Sequence, residues 1–144
     1  MKKITLIALL ISVFALGACA RGKQPVAFEN VPQVVQTEMQ KTYAPNQIQY
    51  ITFQKELGRK IYTFVLGEGT KVKYDHKGIL RKVENKGGIN ETLVPEVIME
   101  YVRKTFPNAT ITEYKYERSC QEVELNNSIE LVFNKRGKFL RIED

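Results

Sequence analysis

The sequence predicts an α+β fold: two tandem helix-plus-antiparallel-meander repeats share one antiparallel sheet, with both helices on one face. The first observation behind it is that the chain is written twice. Val31-Pro32-Gln33-Val34-Val35 is echoed by Val94-Pro95-Glu96-Val97-Ile98, and Tyr43 and Ile48 by Phe106 and Ile111, all at an offset of 63 residues. Leu66, Val72, Tyr74, Gly78 and Val83 return as Leu125, Leu131, Phe133, Gly137 and Ile142, at an offset of 59. The four-residue difference falls between Phe53 and Tyr62, around Glu56-Leu57-Gly58-Arg59, and a constant offset on each side of one indel is a strong sign of duplication. The second observation is a change of hydrophobic period within each copy, from helical spacing to alternation. A helix with one apolar stripe and a meander with one dry face must cover each other, and neither half alone has much core.

The repeats span 31–86 and 94–144, and each opens with a helix. Proline is well tolerated in the first turn, because its missing N–H would have no partner there. Val31, Val34, Val35 and Met39 then form one stripe, and Val94, Val97, Ile98, Tyr101 and Val102 the other. Ala44-Pro45-Asn46 and Pro107-Asn108 end the helices, since proline cannot continue the ladder. Their β-branched content leaves them marginal in isolation, so packing must hold them. Strands are predicted over 48–53 and 110–117, rich in aromatic and β-branched residues. Tyr62, Phe64 and Leu66 alternate with Ile61, Thr63 and Val65, apolar on both sides, which suggests a central or covered strand. Gly67-Glu68-Gly69 and Asn126-Asn127 read as hairpin turns. Return strands follow over 70–74 and 129–133. Asp75-His76-Lys77-Gly78 and Asn134-Lys135-Arg136-Gly137 fit turns with Asx first and glycine fourth. Last strands run over 79–83 and 139–142, and Lys86-Gly87-Gly88-Ile89-Asn90 joins the copies.

The chain has 144 residues, with 22 basic against 16 acidic side chains and a formal charge of +6. That excess is dispersed in groups such as Lys71-Lys73, Arg81-Lys82 and Lys135-Arg136-Lys138, mostly in turns and alternating strand positions, so nucleic-acid binding is not expected. At the start, Lys2 and Lys3 precede an uncharged, mostly apolar run over 4–16, which describes a secretory signal too short for a comfortable span. Leu16-Gly17-Ala18-Cys19 then resembles the lipobox of bacterial lipoproteins. The resemblance implies cleavage before Cys19 and a diacylglycerol on its thiol. It divides the chain into a signal peptide over 1–18, a lipidated tether over 19–30 and a single domain over 31–144. The expected address is the cell envelope, with the membrane as partner through Cys19. Ala20 replaces the aspartate of inner-membrane retention, and Ala20-Arg21-Gly22-Lys23 lacks an acidic export stretch, so the expected site is the periplasmic face of the outer membrane.

Chemistry is harder to find. With Cys19 lipidated, Cys120 has no disulfide partner and reads as a small core residue. His76 is the single histidine and sits in a turn, so no Cys/His metal set assembles. Glu122, Glu124 and Glu130 alternate at strand spacing, as a solvent face does, and no glycine-rich phosphate cradle lies between a strand and a helix. No catalytic residue, metal or cofactor is expected, and the chain is not expected to be an enzyme. The candidate binding face is Tyr50, Tyr62, Tyr114 and Tyr116, all on strands, since tyrosine combines contact area with low entropy cost. The competing reading has these rings covering the core or packing across strands.

Phe106-Pro107-Asn108-Ala109, Val123-Glu124-Leu125-Asn126-Asn127, Glu130-Leu131-Val132-Phe133 and Gly137-Lys138-Phe139-Leu140-Arg141-Ile142 resemble the PepSY-like, β-lactamase-inhibitor-like exported proteins of Bacteroidetes. The first copy matches more loosely, through Val72-Lys73-Tyr74-Asp75-His76-Lys77-Gly78. The usual hairpin glycine is replaced by Asn127-Ser128 in the second copy. The resemblance implies a helix-plus-meander repeat, an envelope location and a role in binding or restraining another exported protein or peptide. The alternative is a small-ligand or peptide binder of the periplasm.

Overall fold

The computed structural model describes residues 22–143. Its strands are β1 (Gln24–Pro25), β2 (Ile48–Glu56), β3 (Arg59–Leu66), β4 (Lys71–Asp75), β5 (Leu80–Glu84), β6 (Ile111–Tyr116), β7 (Cys120–Leu125), β8 (Glu130–Asn134) and β9 (Phe139–Glu143). Helix α1 (Gln33–Gln40) precedes β2 and α2 (Glu96–Thr105) precedes β6. All nine strands form one antiparallel sheet in the order β1 to β9, so every strand pairs with its neighbours in sequence.

Both helices begin the same way. Pro32 (φ −52°, ψ 137°) and Pro95 (φ −54°, ψ 136°) stand at the N-caps. Val35 and Met39 of α1 and Ile98, Met99 and Val102 of α2 are buried. They belong to one hydrophobic cluster with Ile51, Tyr62, Phe64, Leu66, Val72, Tyr74, Val83, Ile111, Tyr114, Val123, Leu125, Leu131 and Phe133. Register explains which strand residues enter it. Ile51 lies opposite Phe64, Phe64 opposite Val72, Val72 opposite Val83, Val83 opposite Tyr114, Tyr114 opposite Val123 and Val123 opposite Leu131. Directly paired residues project to the same face, so these form one apolar row across seven strands. Ile61 and Val132 are buried as well but lie outside the cluster, because their register puts them on the opposite face. That accounts for the two-sided apolar character of the segment around Phe64-Val65.

The halves meet where β5 pairs with β6, through Lys82 opposite Lys115, Val83 opposite Tyr114 and Glu84 opposite Glu113. Each helix also rests on the turn of its own final hairpin. Gly78 (φ +79°) lies under Val34, and Gly137 (φ +84°) lies so close under Val97 that an added Cβ would come within 2.2 Å of Cγ1. Glycine is needed twice over there, for the left-handed backbone and for the close approach.

Three expectations change. The four extra residues of the first copy lengthen the strands, not the loop: Glu56 pairs with Arg59, leaving a two-residue turn of Leu57 (φ +48°) and Gly58 (φ +78°). Two positive φ values match the primed turn whose twist fits a hairpin, so polar Gln54-Lys55-Glu56 stays in the strand. The fold starts before Val31. Gln24 and Pro25 pair with Phe53 and Thr52, and Phe28 packs against the core, so the segment read as tether over 19–30 contributes a short edge strand and a core contact. Cys120 is not a core residue. It is half-buried on the face away from the hydrophobic cluster, its Sγ 3.6 Å from Glu122 Oε1. Burial, then the Glu122 carboxylate, pushes its thiol pKa up. The signal peptide over 1–18 and Cys19 lie outside the described residues.

Candidate functional site

The four candidate tyrosines do not form a face. Tyr62 and Tyr114 are sealed in the hydrophobic cluster. Tyr114 donates its hydroxyl to Gln121 Oε1 at 2.7 Å, and Gln121 Nε2 donates onward to the carbonyls of Asn134 and Lys135. Burial raises the Tyr114 hydroxyl to about 12, so it stays a donor. Tyr116 packs at the margin of the cluster with Arg81 and Lys135 over its ring, at 5.5 and 4.8 Å from the centroid. Tyr50 alone is exposed, opposite Val65 in the pairing of β2 with β3. The competing reading, rings that cover the core, describes Tyr62 and Tyr114. Alternation marks a strand residue as half-buried or exposed but does not say which face the helices take.

What the sheet offers on the face away from the cluster is charge, in two rows across the strands. One row places Lys73, Lys82 and Lys115 directly opposite one another on β4, β5 and β6, followed by Glu122, Val132 and Arg141. The other starts at Lys71 and continues through Glu84, Glu113, Glu124, Glu130 and Glu143 on β5 to β9. Like charges directly opposite are unfavourable, and the structure answers by stitching one row to the other. Lys82 reaches Glu84 at 2.6 Å and Glu113 at 2.8 Å, and Lys115 reaches Glu113 at 2.9 Å and Glu122 at 3.4 Å. Lys71 lies 3.3 Å from Glu84, and Lys73 2.8 Å from Glu56. Burial by itself would lower Lys82, but the hydrogen bonds to Glu113 and Glu84 outweigh it and raise its pKa. Burial would raise Glu84, and its lysines hold it below the usual carboxylate range.

On β9 Arg141 pairs with Glu143, but β7 and β8 are left largely unstitched. Glu124 and Glu130 take no ion pair among the described residues. Burial, with Glu122 and Glu143 close by, leaves Glu130 above the ordinary carboxylate value despite the pull of Lys115. A groove of about 470 Å³ opens beside the row, between Glu68, Lys71, Glu84, Asn85, Glu113 and Glu124. The acidic row was half visible in the sequence. Glu122, Glu124 and Glu130 mark one face, and the 59-residue offset relates Glu84 to Glu143 and Lys82 to Arg141. The alignment of Glu113 with both copies exists only once β6 pairs with β5. Among the described residues no group of three or more His, Cys, Asp and Glu is placed to hold a metal. His76 stays in its turn, where the Asp75 carboxylate accepts from the Lys77 and Ile79 amides.

The family profile described as "Putative beta-lactamase-inhibitor-like, PepSY-like" matches the chain twice, over 19–82 and 60–141. The chain belongs to the PepSY-like family. Together the two matches run from before β1 into β9 and take in α1 and α2. No curated protein matches it in sequence. Solved structures share its fold. A "putative periplasmic protein" of the DUF2874 family from Bacteroides vulgatus has a TM-score of 0.76 and 26% identity, over 87% of this chain and 99% of that one. A "putative calcium-regulated periplasmic protein" from Bacteroides thetaiotaomicron has a TM-score of 0.76 at 23% identity, over 85% and 97%. A "putative periplasmic protein of unknown function" from Bacteroides vulgatus has 0.77 at 21%, over 85% and 100%.

Proposed function

We propose that this PepSY-like chain is a lipid-anchored binding protein of the periplasm that presents the charged face of its sheet to another exported protein, restraining or escorting it. In this reading α1 and α2 cover the apolar face together, which the shared hydrophobic cluster supports, and the other face is left for a partner. The observation that carries the reading is the pair of charged rows. Their groups are half-desolvated and held by one another, so little side-chain freedom is lost when a partner docks. The unpaired carboxylates of Glu124 and Glu130 suit a partner with basic side chains. The periplasmic neighbour at 26% identity supports the address. The lipobox resemblance supports the anchor at Cys19 on the outer membrane. Restraint by binding, rather than catalysis, also agrees with an inhibitor-like family.

Photo-reactive residues placed at Lys71 and Glu124, with a control at Val34 on α1, test it in the native envelope. Adducts of one discrete mass from the two sheet positions and none from Val34 are expected. Adducts from Val34 alone, or none from the sheet positions, overturn the reading. Anchoring is checked separately: Cys19→Ala should abolish incorporation of labelled fatty acid and release the processed chain from the membrane.

The small-ligand reading rests on a different place. An open cleft of about 550 Å³ at the β2 edge is lined by Pro25, Val26, Phe28, Pro45, Ile48 and Tyr50. Its apolar lining with one phenolic hydroxyl suits a hydrophobic peptide side chain or a small aromatic molecule. Tyr50→Ala should abolish such binding and leave the sheet crosslinks unchanged.

A further inference from the structure

The two free edges of the sheet are treated differently. At one, β2 is covered by β1, a two-residue strand containing Pro25, and proline is a common way to blunt an edge. At the other, β9 pairs only with β8, and beyond it no strand follows among the described residues. Its Leu140 and Ile142 are each 49% exposed. The duplication shows what such an edge looks like when covered. Lys82-Val83-Glu84 of β5 is the counterpart of Arg141-Ile142-Glu143 of β9, the same order of base, aliphatic and acid. Val83 is 0% exposed because β6 lies against it, with Tyr114 opposite. Ile142 holds the equivalent position, with Leu131 of β8 on one side and no strand on the other among the described residues.

We propose that β9 is a self-association edge, on which a second copy of this chain pairs its own β9 antiparallel about Ile142. Charge selects this occupant. In that register the two Ile142 side chains face each other across the twofold axis, and each Arg141 faces the Glu143 of the other copy. Opposite charges then stand directly opposite, a better match than β5 and β6 achieve, where Lys82 faces Lys115 and Glu84 faces Glu113. Arg141 already pairs with Glu143 within its own strand, both side chains about half exposed, so exchanging partners needs no change of backbone. Because the pairing is isologous and the opposite edge is blunted by Pro25, assembly closes at two copies instead of running on as a filament. In that register Arg141, Ile142 and Glu143 of each strand overlap, which buries less than a standard interface, so the dimer is weak and reversible, with a dissociation constant on the order of 0.1–1 mM.

Sedimentation equilibrium of the chain from Gly22 onward, which holds all nine strands and both helices, tests it. Dimer is expected to accumulate toward about 1 mM and to weaken as salt rises. Arg141→Glu should weaken self-association about tenfold at low salt, and Glu143→Arg likewise. The double swap, Arg141→Glu with Glu143→Arg, should restore it, because the symmetric register pairs the exchanged charges again. Unchanged melting of each variant confirms that folding is intact. In a Cys120→Ser background, Ile142→Cys should give a reducible covalent dimer, since directly opposed Cα atoms are within disulfide reach. Leu57→Cys, at a distant hairpin, should not. A monomer throughout the concentration range, failure of the double swap to restore association, or equal crosslinking from both cysteine positions would each overturn the proposal.

Discussion

At the scale of single residues, the duplication supplies its own controls. Asp75 and Asn134 occupy the same turn position, and each accepts two backbone N–H groups, from Lys77 and Ile79 or from Arg136 and Lys138. Only Asp75 also holds a base: Arg81 reaches it at 2.6 Å, and Asp75 is 2% exposed. Burial would raise Asp75, but Arg81 and the two amides outweigh it and leave its pKa below the usual value. A lowered folded value means stability that is complete above the unfolded pKa of about 3.9 and lost as pH falls through the folded one. Asp75→Asn keeps the turn, strands Arg81 and should cost about 1.5–3 kcal/mol at neutral pH by chemical denaturation. The same variant should lose less of its remaining stability on acidification. Ser128 (φ +67°) stands where the first copy has Gly69 (φ +94°). Ser128→Gly should relieve that strain and raise the thermal midpoint, with a gain of about 0.5–1 kcal/mol after the added freedom of the unfolded chain. The turn type was readable from Asx and glycine spacing, and so was the missing glycine. The Arg81 partnership was not, because it depends on a bulge in β5 that no local pattern announces.

At the scale of elements, each helix makes a close contact with its final hairpin through a glycine of the turn. Gly137→Ala places a methyl 2.2 Å from Val97 Cγ1 at φ +84°, whereas Gly78→Ala meets Val34 at 2.9 Å and φ +79°. Both variants carry a backbone cost of about 1–2 kcal/mol, and crowding adds about 1–3 kcal/mol where the neighbour cannot give way. Denaturant midpoints should therefore fall further for Gly137→Ala. Val97→Ala should recover the crowding part alone. Helix stripes, strand alternation and the positions of the turns were legible because each is local and periodic. The length of the β2–β3 hairpin was hidden, since Gln54-Lys55-Glu56 reads as loop until its register with 59–61 is known.

At the scale of the whole molecule, one sheet and one hydrophobic cluster imply one cooperative unit. Phe133 is fully buried and meets Tyr101 and Phe139 with ring centroids 5.4 and 5.9 Å away. Phe133→Ala should cost about 3–5 kcal/mol and move a single calorimetric transition. Two separated transitions, one of them unmoved, would mean that the halves melt independently. The shared sheet was legible from the repeat. The charged rows were legible only in part, through Glu122, Glu124 and Glu130, because a row across strands is set by pairing between distant segments. The tyrosines misled for the same reason: residue type said strand, and only the register said which side.

The joint between β5 and β6 also decides how this chain finds its shape. Every other pairing among β2 to β9 is a hairpin between consecutive strands, closed over a short turn. The β5–β6 pairing must wait while residues 85–110, α2 included, are looped back, and the entropy of that closure is met before any contact repays it. The slow step of folding thus belongs to the seam, with the two meanders forming early as local structure. Val83→Ala should slow refolding measurably in stopped-flow experiments. Ile142→Ala, at the matching position of the free edge, should leave the refolding rate nearly unchanged and act, if at all, on unfolding.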